Sequence, residues 1–481
     1  MQNEICELGV WDLAGRYRRG ELLPSEVIDA HLQRCQRLNP LLNAFVTLLP
    51  ESAREAAAAA DKLFRAGVDL GPLQGVPVSV KDLIRVHGTG TTAGSRILLA
   101  ESPDRIDAVV VQRIRRAGAI VIGKTNLYEF AFGNPEPDGP FGLVQNPRRV
   151  GHHPGGSSSG AGAAVASGLG VIGLGTDTGG SIRIPAYICG VSGLKPTTGR
   201  ISLDGVIPLS WGLDTAGPLA RRVSDVAMAW SVCAAREGIG SGAPSGTAER
   251  NFLDRPVRGW RVGIPEGKFF SKVQPAVRAA FENTRRLLGD LGCQLIPFDP
   301  PEIEAMPELV HTILLAEGAA YHERFRGRED LYGPDLRQRI SLGREITALA
   351  YLGACRRALD LKQKWMDLKS RFDVLVTPSG PMVAPAHGVA TIEIDGEHFP
   401  FRDLLGCFTR PFNLLGWPAL SVPNGLDGDG LPTGVQIAGP PDSEMDLFIL
   451  GYRLEQELGI VEKLGIEPRI PLIPPRFSPP Q

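Results

Sequence analysis

Hydroxyl side chains set among glycines are the residues of this chain best suited to chemistry. They lie between Gly151 and Arg200 in two turns, Gly155-Gly156-Ser157-Ser158-Ser159-Gly160 and Thr178-Gly179-Gly180-Ser181. A serine nucleophile needs a base for its proton and donors aimed at the oxyanion that develops on the attacked carbonyl. Gly179 and Gly180 carry no side chains, so consecutive N–H groups beside Ser181 can converge on one oxygen. A lysine serves as the base in Ser-Lys variants of triad chemistry if it is kept neutral. That means lowering its pKa from about 10.4 to roughly 7–8, a shift that burial can produce. Lys81 fits the demand, because it ends the run Gly75-Val76-Pro77-Val78-Ser79-Val80. Val76, Val78 and Val80 alternate as in a strand, and Pro77 puts the start of that strand near an edge or a turn.

Four other patterns are formal matches whose context is wrong. Gly156-Ser157-Ser158-Ser159-Gly160 fits the G-x-S-x-G nucleophile elbow around Ser158. An elbow joins a strand to a helix and needs a later histidine, but the residues before it are loop-like and His311, His322, His387 and His398 lie in no recognisable setting. Gly168 to Gly173 fits G-x-G-x-x-G, but a small-residue helix precedes it and a strand follows, the reverse of a dinucleotide site. Gly118 to Thr125 fits the phosphate-loop pattern, yet its middle residues are themselves an apolar strand whose N–H groups belong to a sheet. His152-His153 have no further ligands at metal spacing, so no metal and no cofactor is expected.

The elements that position these turns alternate. Helices are expected over Val27 to Cys35 with Ser25 as N-cap, over Glu51 to Ala66, over Asp107 to Ala117, over Val223 to Ala235, over Gln274 to Leu291, through most of Leu309 to Met366 and over Met445 to Leu458. His31 lies on the apolar stripe of the first and reads as a packed side chain. Strands are expected at Ala119 to Gly123, Val171 to Leu174, Trp260 to Ile264, Phe372 to Pro378, Ala419 to Pro423 and Thr433 to Ala438. This alternation predicts an α/β fold with a layered sheet. Residues 237–258 are polar and aperiodic, and the Pro-rich tail 471–481 is expected to be extended or frayed.

Composition sets the remaining bounds. The chain has 481 residues, 43% of them hydrophobic, and a formal net charge of −2, which offers no electrostatic case for nucleic acid or an acidic membrane. Its seven cysteines are scattered singly, which excludes a disulfide framework or zinc site as an expectation. With no secretory signal and no long apolar run, a soluble cytoplasmic protein without membrane partners is expected.

Lys81 in GVPVSVKD, the Gly155-Gly156-Ser157-Ser158 turn and the segment Gly175 to Arg183, GTDTGGSIR, together resemble the amidase signature family of Ser-Ser-Lys amidohydrolases. GKTN at Gly123 to Asn126, GLKPTTGR at Gly193 to Arg200 and LPTGVQIAG at Leu431 to Gly439 are similar to it too. The resemblance implies one α/β domain over residues 1–481, a mixed central β-sheet covered by helices on both faces. Within it, 1–66 would form N-terminal helices, 75–200 the signature core and 237–258 a surface excursion. It further implies that Ser181 is the nucleophile, Ser157 a bridging serine after a cis peptide bond, and Lys81 the base. The N–H groups of Thr178, Gly179, Gly180 and Ser181 would form the oxyanion hole, with Asp177 and Arg183 structural and Ser158 and Ser159 bonded locally. The expected reaction is hydrolysis of small, fairly apolar amides, with esters, anilides and carbamates (a urethanase activity) as further candidates. Phe130, Phe132, Trp211 and Trp417 would line the pocket, and the enzyme would be a monomer or homodimer. The alternative within the family is the glutamine-hydrolysing catalytic component of a tRNA-dependent amidotransferase. In that component an acid stands just before the F-T-x-P-x-N segment, where this chain has Gly406.

Overall fold

In the computed structural model, which describes residues 2–234 and 252–470, thirteen strands are found. In chain order they are β1 (Phe45–Leu48), β2 (Pro77–Lys81), β3 (Ile120–Thr125), β4 (Ile172–Asp177), β5 (Ser192–Lys195), β6 (Thr215–Ala220), β7 (Arg261–Pro265), β8 (Gln294–Phe298), β9 (Val374–Pro378), β10 (Thr391–Ile394), β11 (Glu397–Pro400), β12 (Ala419–Leu426) and β13 (Pro432–Ala438). Eleven of them make one sheet in the order β1-β3-β2-β4-β6-β5-β12-β13-β9-β7-β8, and β10 pairs with β11 apart from it. The sheet is mixed. β2 runs parallel to both β3 and β4, β4 to β9 are linked through antiparallel pairs, and β9, β7 and β8 are parallel again. Helices flank this sheet, which gives the expected single large α/β domain.

β2, β3, β4 and β9 are buried along their whole length, as strands covered on both faces must be. β2 lies inside the sheet, between β3 and β4, and Pro77 is tolerated as its first residue directly after a turn. Ile120 to Thr125 is strand throughout, so the phosphate-loop match has its N–H groups in the ladder. The helix Ser159–Ala166 precedes β4, as the reading of Gly168 to Gly173 required.

The first long helix corrects one expectation. It spans Pro24–Leu42, with Leu23 and not Ser25 at the N-cap. Proline suits the first helical position because its missing N–H would have no partner there. Ser25 Oγ instead donates to Asp61 Oδ2 at 2.6 Å, while Glu26 accepts from Leu23 N at 2.8 Å. His31 is fully buried in this helix, as read from the sequence. Most of the polar stretch 237–258 and all of the tail 471–481 lie outside the described residues. No helix among the described residues is long and apolar enough to cross a membrane.

Candidate active site

β2 delivers Lys81 to the protein interior. The side chain is fully buried, and its Nζ donates at 2.8 Å to Ser157 Oγ and at 2.8 Å to Thr176 Oγ1. Burial pushes the ammonium from 10.5 down to about 7, against the opposing pull of Asp177 and Asp214. Burial alone does not single this lysine out. Lys195 is pushed to about 7 as well, but it donates to the Pro196 carbonyl, and buried Lys124 pairs with Asp82 at 2.9 Å. Contact with a serine hydroxyl distinguishes Lys81.

Ser157 follows a cis peptide bond from Gly156. Gly156 has no room for a side chain, since a Cβ there would stand 2.2 Å from the Tyr128 ring. Ser158 exchanges hydrogen bonds with the Thr176 backbone at 3.2 and 3.3 Å, and its N–H donates to the Ser181 carbonyl at 3.2 Å. The two glycine-rich turns are therefore tied to each other, and Ser158 is consumed by that tie. Ser181 itself is half-buried, whereas Ser157 and Ser158 are closed to solvent.

The turn that carries Ser181 starts at the end of β4. Asp177 accepts from the N–H groups of Gly180 at 2.8 Å and Ile182 at 3.2 Å, and makes a two-armed ion pair with Arg183 at 2.9 and 3.0 Å. Gly180 therefore differs from the expectation: its N–H is taken by Asp177. Among the described residues the backbone N–H groups of Thr178, Gly179 and Ser181 have no protein partner. Gly180 has φ +125, and a Cβ there would stand 2.1 Å from Thr409 Oγ1. Only glycine fits that position.

Burial alone would raise the Asp177 carboxyl, but the Arg183 guanidinium and the Asn413 amide more than reverse this and hold it well below the usual carboxylate range. Arg183 also donates to Gln436 Oε1 at 2.7 Å, Asn413 Oδ1 at 2.6 Å and the Thr409 carbonyl at 2.9 Å. These partners come from the F-T-R-P-F-N stretch and from β13. Replacing Arg183 by Met should leave Asp177 buried and unpaired, at a cost of about 3–5 kcal/mol. A shift in the urea unfolding midpoint at unchanged slope checks this.

Sequence reasoning missed several residues around the turn. Thr178 Oγ1 donates to Asp214 at 2.6 Å, and Asp214 also accepts from Leu209 N and Ser210 N at 2.8 and 3.0 Å. Burial raises its carboxyl to about 6. A lone aspartate in an irregular segment carries no signal of such a contact. Thr176, Asn413 and Gln436 did sit inside quoted motif pieces, and their side chains proved to be the supports.

The four expected pocket aromatics do not form one group: Phe130 and Phe132 share a core cluster, Trp417 lies in another and Trp211 faces solvent. Phe130 is buried against His322, Phe325 and Tyr332, and Trp417 is buried against Trp365 in a separate core cluster. Trp211 is 59% exposed. Phe132 is buried in the same cluster as Phe130, with the Arg339 guanidinium 5.6 Å from its ring centre. Among the described residues no group of acids, histidines and cysteines could hold a metal ion. His153 is buried instead against the Tyr128 hydroxyl, 2.7 Å away.

Comparison with known proteins gives a consistent picture. The family model described as Amidase matches residues 26–448. A glutamyl-tRNA(Gln) amidotransferase subunit of Chloroflexus aggregans is 38% identical over 458 residues, 90% of this chain and 92% of that protein. The 2-amino-5-chloromuconic acid deaminase of Comamonas testosteroni is 37% identical over 475 residues, 97% of this chain and 99% of the relative. A solved structure described as a vestigial protein complex that reveals the origins of an s-triazine catabolic enzyme superposes with a TM-score of 0.87 at 33% identity, covering 94% of this chain and 99% of that one.

Proposed function

For a chain that belongs to the amidase signature family, we propose an amidohydrolase in which Ser181 is the nucleophile, Ser157 the bridging hydroxyl and Lys81 the base. The observation that carries this reading is the 2.8 Å hydrogen bond between Ser157 Oγ and a fully buried lysine whose ammonium burial pushes down to about 7. Neutral Lys81 accepts the Ser157 proton, and Ser157 accepts that of Ser181 as Ser181 attacks the amide carbonyl. The N–H groups of Thr178, Gly179 and Ser181 receive the oxyanion. The relay then returns a proton to the leaving nitrogen, and water repeats the sequence on the acyl-enzyme.

The amide is read in two ways. A free-standing hydrolase of small, fairly apolar amides or carbamates was expected from the sequence. The curated relatives favour the other reading, a glutamine-hydrolysing component that works with partner chains. Glutamyl-tRNA(Gln) amidotransferase components recur among them at 32–38% identity. Gly406, at the place of an acid, speaks against glutamine. The test is a panel of glutamine, aryl amides, esters and carbamates, run with and without amidotransferase partner chains. Turnover of glutamine only with partners carries the second reading, and turnover of the others by the chain alone carries the first. Both require a fluorophosphonate probe to add its mass at Ser181, and a folded, unlabelled protein would rule both out.

A further inference from the structure

The turn from Gly406 to Arg410 lies directly against the loop that carries Ser181. Thr409 Oγ1 donates to the Gly179 carbonyl at 2.7 Å, and a Cβ on Gly406 would stand 2.8 Å from that same oxygen. A Cβ on Gly179 would stand 3.5 Å from Arg410 Cγ and 3.9 Å from its Nε. An arginine side chain is thus laid along the residue two places before the nucleophile.

Its charge is not answered there. A guanidinium has five N–H donors in a planar fork. Arg410 is half-buried, and its one side-chain hydrogen bond among the described residues is a long one, 3.4 Å from Nη2 to the Leu405 carbonyl. Among the described residues no carboxylate lies within ion-pair distance of it; Asp403 and Glu308, both exposed, act on it only from farther away. Arg183 in the same neighbourhood is paired on both arms, and Arg339 and Arg402 share Asp335. His311 registers the excess: burial, Arg410, Arg339 and Arg402 lower its pKa, opposed by Glu308. A half-buried guanidinium without a counter-ion is costly, and its fork matches a carboxylate with two parallel hydrogen bonds.

We infer that Arg410 receives a carboxylate of the substrate, so that the amide opened at Ser181 belongs to a short acid and not to a neutral apolar acyl group. The inference rests on Ser181 being the nucleophile, as proposed above, and it sides with a charged substrate over the apolar one expected from the sequence.

The test compares two amides of nearly equal size, succinamate and butyramide, on the full chain. The kcat/KM ratio of succinamate to butyramide is expected to be about 100 or more in the native protein. It should fall roughly 100-fold in Arg410→Gln and recover in part in Arg410→Lys. A native ratio near or below one, or a ratio that Arg410→Gln leaves unchanged, overturns the inference. A second measurement does not need turnover: succinate should slow fluorophosphonate labelling of Ser181 in the native protein and not in Arg410→Gln. Labelling that succinate never slows also overturns the inference while leaving the Ser181 proposal standing. Failure of Ser181 to label at all overturns that proposal instead.

Discussion

Replacing Ser181 by Ala is expected to lower kcat/KM about 10⁴-fold or more, because the covalent route disappears with the hydroxyl. What remains is whatever the N–H groups of the turn and substrate binding achieve alone. The fold should not notice the change. Ser181 is half-buried, its backbone carbonyl keeps the bond from Ser158, and the lost group is one oxygen at a partly open site. The melting temperature should stay within a few degrees of the native value. Activity retained in this variant would remove Ser181 from the nucleophile role.

Replacing Lys81 by Met should be as severe for turnover and different for stability. As the base proposed above, the native side chain must be neutral to accept a proton, so kcat/KM should rise with pH through about 7 and then level off. The shift from 10.5 to about 7 corresponds to about 5 kcal/mol by which the folded interior disfavours the ammonium, burial outweighing the pull of Asp177 and Asp214. In the unfolded chain the lysine titrates near its ordinary value, so between pH 7 and 10.5 the unfolded state holds more protons than the folded one. Native stability contributed by this group therefore rises with pH across that window. Met at position 81 removes the dependence and also removes the bonds to Ser157 and Thr176, a loss that does not vary with pH. The stability of Lys81→Met relative to the native protein should consequently grow as pH falls from about 10 to 7. Melting curves across that range decide it, and a flat difference would mean that the native lysine stays charged.

The pieces of this site differ in how openly the sequence displays them. Lys81, Ser157 and Ser181 stand in motifs whose residue types already suggest the chemistry, and the structure sets Lys81 on Ser157. β2, β3 and β4 were visible because runs such as Val76 to Val80 and Ile120 to Ile122 have no other way to be buried. β5 and β6, Ser-Gly-Leu-Lys and Thr-Ala-Gly-Pro-Leu-Ala, were not. Both are central strands rich in Gly, Ala and Ser, with no alternation and, apart from Thr215, no β-branching to mark them. β1 and the β10–β11 pair are four residues long each, too short for a period to register. The aromatics misled for a related reason: burial rewards a ring equally in a pocket or a core, and Phe130 and Trp417 went to the core. Charge was illegible in the opposite sense. A net charge of −2 says nothing of the arginines at 339, 402 and 410, the first of which joins the other two only in the fold.

Arg183 is clamped by Asn413, 230 residues away along the chain, and by Gln436, 253 away. During synthesis the loop bearing Ser181 therefore leaves the ribosome with its ion pair but without its outer braces. Asn413 follows long after the loop, and Gln436 only when β13 has been made. Contacts of such long sequence separation close slowly, and domains of this size assemble through partly ordered states. The Ser181 turn should thus acquire its final geometry late, so a nascent chain cut short before residue 436 would carry all three candidate catalytic residues and still be inert. Activity in this protein doubles as a certificate that the C-terminal third has docked.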